Sequence, residues 1–173
     1  MKRLAARAFL ATAVLVSGLG LLPSCSVVKK SMDCRALSKA VNPHMRALRA
    51  TSRSLGPTST PAQVGAAYAQ MANDVTASAA AVAALDLGTP ELADLSQRYQ
   101  AMCASSATAF RGMTKATEAL TKAQQVAGQH GEDAKAALEQ ASALVRAATA
   151  EVQRASEPET SILQQINALC GSD

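Results

Sequence analysis

Residues 90–127 read PELADLSQRYQAMCASSATAFRGMTKATEALTKAQQVA. Apolar and small residues recur along this stretch at alternating steps of three and four, which is the spacing of one face of an α-helix. These seam positions are Leu92, Leu95, Tyr99, Met102, Ser106, Ala109, Met113, Ala116, Leu120, Ala123 and Ala127. Because a seam of this kind packs against a partner helix, the stretch predicts one long helix of a helical bundle.

The same spacing occurs on both sides of this stretch, in an alanine-rich sequence that favours helix. Within 61–85 the seam consists of Val64, Tyr68, Met71, Val75, Ser78, Val82 and Leu85. The last segment has Leu138, Ala141, Val145, Ala148, Val152, Ala155, Glu159, Ile162, Ile166 and Leu169. The first segment is less regular, with Cys34, Leu37, Val41, Met45, Leu48 and Leu55. Four helices are therefore predicted.

The breaks between these segments carry the residues that end and begin helices. Gly56-Pro57 closes the first helix, and Thr60-Pro61-Ala62-Gln63 is a capping box with proline at the first helical position. Gly88-Thr89-Pro90-Glu91 ends the second helix and opens the third, and Gly128-Gln129-His130-Gly131 is a turn before the fourth. Short connections imply antiparallel neighbours. The predicted fold is all-α, an antiparallel up-down-up-down four-helix bundle.

The predicted helices differ in length. Helix two, with 25 residues, would span ~38 Å and helix three, with 38 residues, ~57 Å. Either the long helix 3–4 hairpin projects past the first two helices, with its tip at the end opposite to the N-terminus of helix one, or helix three bends. The seam near the tip is mostly alanine, which buries little area, so a projecting tip would be weakly stable alone.

Two prolines lie inside predicted helices. Pro43 should kink helix one or split it near Asn42, because proline removes a backbone hydrogen bond. Pro158 follows a second capping-box pattern, yet the apolar seam keeps its phase across it. We therefore expect a kinked continuation of helix four at Pro158.

The N-terminus has the composition of a secretory signal. Lys2, Arg3 and Arg7 precede an apolar or small run from Ala8 to Leu22. The sequence 22–25, Leu-Pro-Ser-Cys, resembles the lipobox of bacterial lipoprotein precursors. That resemblance implies that Cys25 is diacylated, becomes the first residue of the mature protein and attaches it to a membrane. The implied location is the periplasmic face of the outer membrane or the cell surface.

Two other fates of this segment stay open. An ordinary signal peptidase would cut after Ser26, where Ser24 and Ser26 give a small-x-small pattern. An uncleaved anchor is disfavoured, since the run 8–22 has 15 residues and a bilayer span takes ~20. The predicted organisation is a signal peptide over 1–24, a membrane-proximal tether over 25–31 and a bundle domain over 32–173.

Charge is distributed unevenly in the mature chain. After the signal it has 14 basic and 13 acidic residues and few aromatic ones, which argues against nucleic-acid binding. Residues 25–55 nevertheless hold seven basic residues and one acid, while residues 56–173 hold seven basic and twelve acidic. Either a basic helix packs beside acidic ones with ordinary solvated charge, or a membrane-proximal basic segment contacts anionic head groups.

Three thiols remain if Cys25 carries lipid, and an odd number leaves one unpaired; a free Cys25 would allow two bridges. Cys34 and Cys170 both lie at the foot of the predicted bundle, so they are the best-matched disulfide pair. Cys103 lies ~21 Å higher on helix three. We expect it to pack as a small, inert apolar residue, because no neighbouring histidine or lysine in the sequence would lower its pKa.

No motif in the chain indicates catalysis, a metal site or a cofactor. His44 and His130 are expected to be solvated, and the methionines are expected in the core, although they could instead line an adaptable groove. The favoured function is a non-enzymatic interaction module that is held on a membrane by its lipid and binds an envelope protein partner. The candidate contact residues are Gly128, Gln129, His130 and Gly131. The alternative is a carrier of a lipid or small molecule within the bundle.

Overall fold

The structure is a computed structural model that describes residues 25–127 and 132–171, and the side chains from Ser26 onward. It contains four helices in this part of the chain: α1 (Cys25–Ser54), α2 (Pro61–Ala83), α3 (Pro90–Ala127) and α4 (Glu132–Cys170). Consecutive helices pack antiparallel on one another, which confirms the predicted four-helix bundle with its long α3–α4 hairpin. The predicted signal peptide and the tip turn 128–131 lie outside the described residues.

The start of α2 is the predicted capping box. The Thr60 side chain accepts a hydrogen bond from the Gln63 backbone, and the Gln63 side chain accepts one from the Thr60 backbone. The end of α2 differs from the prediction by two residues, since the helix stops at Ala83 rather than Leu85. The N–H of Leu85 bonds back to Val82, which tightens the last turn and directs the chain into the connection to α3.

Both internal prolines lie within continuous helices. α1 runs through Pro43 without the predicted alternative of a split, and α4 runs through Pro158 as a continuation. Pro43 is exposed, and so is Lys39 one turn earlier, whose carbonyl lacks a helical partner. Water can satisfy that carbonyl on the solvent side, so the helix tolerates the missing bond.

The helix seams are the core, and α3 lies at its centre. Of the large side chains, Leu37, Val82, Leu92 and Tyr99 are almost completely buried. On α3 a second buried row lies beside the predicted seam, because this helix packs against α2 on one side and α4 on the other. The second row consists of Ser96, Cys103, Ala107 and Thr117.

At the foot of the bundle, two contacts join distant parts of the chain. Cys34 and Cys170 form a disulfide with a Cα–Cα distance of 5.5 Å, across 136 residues of sequence. The neighbouring Asp33 carboxylate accepts hydrogen bonds from the Thr89 backbone N–H at 2.8 Å and from its hydroxyl at 2.7 Å. The foot is therefore where α1 meets α4 and the start of α3.

The upper part of the α3–α4 hairpin extends beyond the other helices. Gly65 contacts Thr117, so antiparallel packing puts Pro61, the first residue of α2, opposite Thr121. From there α3 continues to Ala127 for ~9 Å. The hairpin therefore projects, as one of the two predicted arrangements requires, and α1 contacts α4 over only a short stretch.

Candidate interaction surfaces

The projecting hairpin carries an apolar groove between α3 and α4. The groove has a volume of about 360 Å³, and Val126 and Leu144 line it while remaining 47% and 48% exposed. The rest of its lining is Ala119, Lys122, Ala123, Ala137, Gln140 and Ala141. Large aliphatic side chains exposed beside a concave surface are a common feature of protein-binding sites.

The seam beneath this groove consists mostly of alanine. Ala116, Ala123, Ala134 and Ala141 are buried in the upper hairpin, whereas the large apolar side chains cluster lower in the bundle. Alanine allows close helix approach but buries little apolar area, so the tip is the least stabilised part of the hairpin. The predicted partner-binding turn, Gly128 to Gly131, would connect the two sides of this groove and lies outside the described residues.

A second exposed apolar patch lies at the opposite end, on the first two turns of α1. Val27, Val28 and Met32 are 56%, 49% and 65% exposed. Asp33 is level with Thr89, so residues 25–32 run past the start of α3 for ~12 Å. The predicted lipidation site, Cys25, is the first residue of α1, and its acylation stays a prediction.

The segment 25–31, predicted as a tether, is helical and touches the bundle. The side chain of Lys29 lies directly over Gly88, in the space that a Cβ atom would occupy. Ser26, Val27 and Lys30 line a groove of about 310 Å³ with the connection that precedes α3. The N-terminal end of α1 is therefore oriented by the bundle.

Buried polar side chains in the described residues have hydrogen-bond partners. Ser78 and Tyr99 share a hydrogen bond of 2.7 Å between α2 and α3, and Thr117 donates to the Met113 and Thr114 carbonyls of its own helix. Burial raises the pKa of Tyr99, and it raises the pKa of the Cys103 thiol to about 11. Cys103 is therefore a buried, protonated thiol at neutral pH, in agreement with the prediction that it packs as an apolar residue.

The methionines divide between core and surface. Met71, Met102 and Met113 are buried, Met45 is half-buried and Met32 is exposed. They do not form one groove, so the core interpretation holds for the three buried residues. His44 is half-buried on α1, and His130 lies outside the described residues. Within the described ranges, no cluster of three or more histidine, cysteine or acidic side chains could hold a metal ion.

The α2–α3 interface has a groove of its own near the start of α2. It has a volume of about 480 Å³, and it is lined by Pro61, Gly65, Thr117, Thr121 and other small or polar residues of the two helices. It is open to solvent and does not continue into the core, where Tyr99 and Leu92 fill the space. It therefore does not form the continuous internal cavity that a carrier of an apolar ligand would need.

Comparison with known proteins gave no family for this chain. No protein-family model, curated protein or solved structure matches it. Within residues 25–127 and 132–171, none of the helices combines the length and the hydropathy that crossing a bilayer requires.

Sequence reasoning placed the candidate partner site in the tip turn but missed Val126 and Leu144. Neither residue belongs to the 3-4 seam of its helix, and this departure from the seam is the signal that identifies an exposed aliphatic residue. The bond between Asp33 and Thr89 had no signal in the sequence, because the two residues are 56 positions apart.

Proposed function

We propose that this chain is a non-enzymatic, lipid-anchored helical-bundle protein of the bacterial envelope that binds a protein partner through the tip of its α3–α4 hairpin. The observation that carries the proposal is the groove of Val126 and Leu144 at the end of the molecule farthest from Cys25. An anchor at one end and an exposed apolar groove at the other suit a protein that presents a binding surface to a partner.

The packing of the rest of the molecule supports a structural role. The disulfide and the Asp33 contact fix the foot, and the large side chains fill the lower core. The buried polar groups Ser78, Ser96 and Thr117 are each hydrogen-bonded within or between helices. These groups stabilise the bundle, and the proposal assigns binding to the exposed tip.

Site-specific photo-cross-linking in native envelope tests the tip directly. A photoreactive residue replaces Gln140, which lines the tip groove. The matched control position is Gln153, an exposed glutamine on the same helix ~20 Å lower. We expect a discrete protein cross-link from position 140, absent from position 153, and its loss when Leu144→Glu is combined with the probe.

Two outcomes would count against this proposal. Equal cross-linking from both positions would show that contact with the envelope is unspecific. A low-mass adduct at position 140 without any protein cross-link would favour the carrier of a lipid or small molecule instead.

A further inference from the structure

One face of α1 carries a second periodic stripe, distinct from its core seam. Counting from Val28 in alternating steps of four and three reaches eight positions that share one side of the helix. These residues, which we call the outer stripe, are Val28, Met32, Arg35, Lys39, Asn42, Arg46, Arg49 and Arg53. All eight are exposed, and the stripe is ~38 Å long.

The outer stripe lies roughly opposite the buried side of α1, where Cys34, Leu37 and Val41 enter the core. It holds five basic residues and no acidic one. The one acidic residue of α1, Asp33, is buried at the foot, where its carboxylate accepts hydrogen bonds from Thr89. All basic residues of α1 except the first two therefore point away from the other helices.

The stripe cations form no ion pair with the other helices in the described residues. The ion pairs among the described residues join Arg98 to Asp94 and Arg154 to Glu151, both within single helices. No stripe arginine or lysine pairs with an acidic side chain in the part of the chain that the structure describes. Of the interpretation that a basic helix packs beside acidic ones with ordinary solvated charge, only the solvated charge therefore applies to the stripe.

We infer that the outer stripe is a docking face for an anionic phospholipid surface. Five unpaired cations along one exposed face complement a layer of phosphate head groups. The apolar residues Val28 and Met32 lie at the stripe end that is nearest to Cys25. A surface helix with apolar side chains at its anchored end and basic ones beyond it fits the boundary between acyl chains and head groups.

This assignment deepens the proposed function, because it says how the anchored bundle lies on the membrane. With the outer stripe on the head groups, α1 lies along the membrane surface, and the bundle axis is parallel to that surface. The α3–α4 tip is then carried parallel to the membrane, whereas the lengths of the helices alone suggested a tip held away from it. A partner would meet the tip close to the bilayer surface.

Vesicle binding by the unacylated protein tests the stripe separately from the lipid anchor. The four helices lie within residues 25–170, so the chain from residue 25 with Cys25→Ser is used. Sedimentation is compared between phosphatidylcholine vesicles and equimolar phosphatidylcholine–phosphatidylglycerol vesicles at low salt. We expect at least ~100-fold stronger partitioning to the anionic vesicles, reduced by added salt.

A charge-matched pair of variants separates the stripe from net charge. The stripe variant combines Arg35→Gln, Lys39→Gln, Arg46→Gln and Arg53→Gln, and it should lose ~100-fold or more of the binding, at roughly fivefold for each charge near the surface. The control variant removes four exposed cations from α3 and α4: Arg111→Gln, Lys115→Gln, Lys135→Gln and Arg146→Gln. It should bind within ~3-fold of the parent if only charges near the surface contribute.

A tryptophan reporter provides a second, independent readout, since the chain has no tryptophan. The emission of Val28→Trp should shift to the blue with anionic vesicles, while that of Leu144→Trp should not. Equal loss of binding in the two charge variants, or equal shifts of the two reporters, would overturn the assignment. So would tighter binding to duplex DNA than to anionic vesicles at the same salt. None of these results would affect acylation of Cys25 or cross-linking at the tip.

Discussion

Asp33 shows how one side chain at the foot joins two distant helices. Its carboxylate accepts two hydrogen bonds from Thr89, and it is 7% exposed. The Thr89 hydroxyl is the largest influence and lowers the pKa of Asp33, while burial opposes it and nearby Lys29 adds to the lowering. The ionised form therefore stabilises the junction of α1 with the start of α3.

This interaction predicts a specific pH dependence of stability. The pKa of Asp33 in the folded state lies below its unfolded value of about 4, so its contribution is complete above that pH and is lost as the pH falls through the folded pKa. Asp33→Asn should lower the free energy of unfolding at pH 7 by about 0.5–2 kcal/mol, the range for losing a side-chain acceptor to a backbone N–H at the start of a helix. Urea unfolding at pH 7 and pH 3 measures the effect.

The difference in stability between the wild type and Asp33→Asn should shrink at pH 3. That pH lies below the unfolded pKa of Asp33, so the unfolded chain takes up the proton and the contribution of the charge is reduced. The remaining acidic residues are common to both proteins and cancel in the comparison. A difference that is the same at both pH values would show that the charge of Asp33 does not contribute.

At the scale of helices, the α2–α3 interface depends on a glycine. A Cβ atom on Gly65 would lie 2.5 Å from the Thr117 hydroxyl oxygen, which is buried and bonded to its own helix. The absence of a side chain at Gly65 therefore allows α2 to approach α3 closely near the projecting hairpin.

The double-mutant cycle of these two residues tests that contact. Gly65→Ala should destabilise the protein by about 1–3 kcal/mol because of overpacking, although alanine favours the helix. In a Thr117→Ala background the same change should be neutral or stabilising. Thermal and urea unfolding of the four proteins measures the coupling. Independent, additive effects of the two substitutions would contradict close packing at this site.

Much of the helix scale could be predicted from the sequence. The 3-4 seams identify most of the buried positions, and the Thr60 box and Pro90 mark the starts of α2 and α3. Two features could not be predicted. Whether Pro43 splits α1 depends on whether its side of the helix faces solvent, and the second buried row of α3 depends on two helices packing against it at once.

At the scale of the whole molecule, the disulfide and the hairpin divide the bundle into a fixed foot and a lightly packed tip. A bridge across 136 residues removes loop entropy from the unfolded chain, worth about 5 kcal/mol. The pairing of Cys34 with Cys170 could be predicted, because both residues lie at the foot of the predicted bundle. The departure of Val126 and Leu144 from the seams indicates that they are exposed, but the groove could not be derived, since it depends on how the two helices that carry them pack together.

The distribution of charge could likewise be predicted only in part from the sequence. The excess of basic residues in 25–55 is visible in the sequence, but the sequence does not show whether these residues face the other helices or the solvent. Placing α1 against α2 turns the core seam inward and leaves the outer stripe exposed. The proposed membrane surface along α1 would account together for the position of Cys25, the exposed Val28 and the unpaired cations.

Intact-mass and peptide mass spectrometry of the protein purified from membranes, without reduction, tests the membrane attachment most directly. We expect an N-terminal peptide that begins at Cys25 and carries acyl chains, together with a peptide pair linked through Cys34 and Cys170. A mature chain that begins at Val27 without lipid, or an uncut chain from Met1, would contradict the lipid anchor. A bridge that contains Cys103 would contradict the arrangement of the helices at the foot.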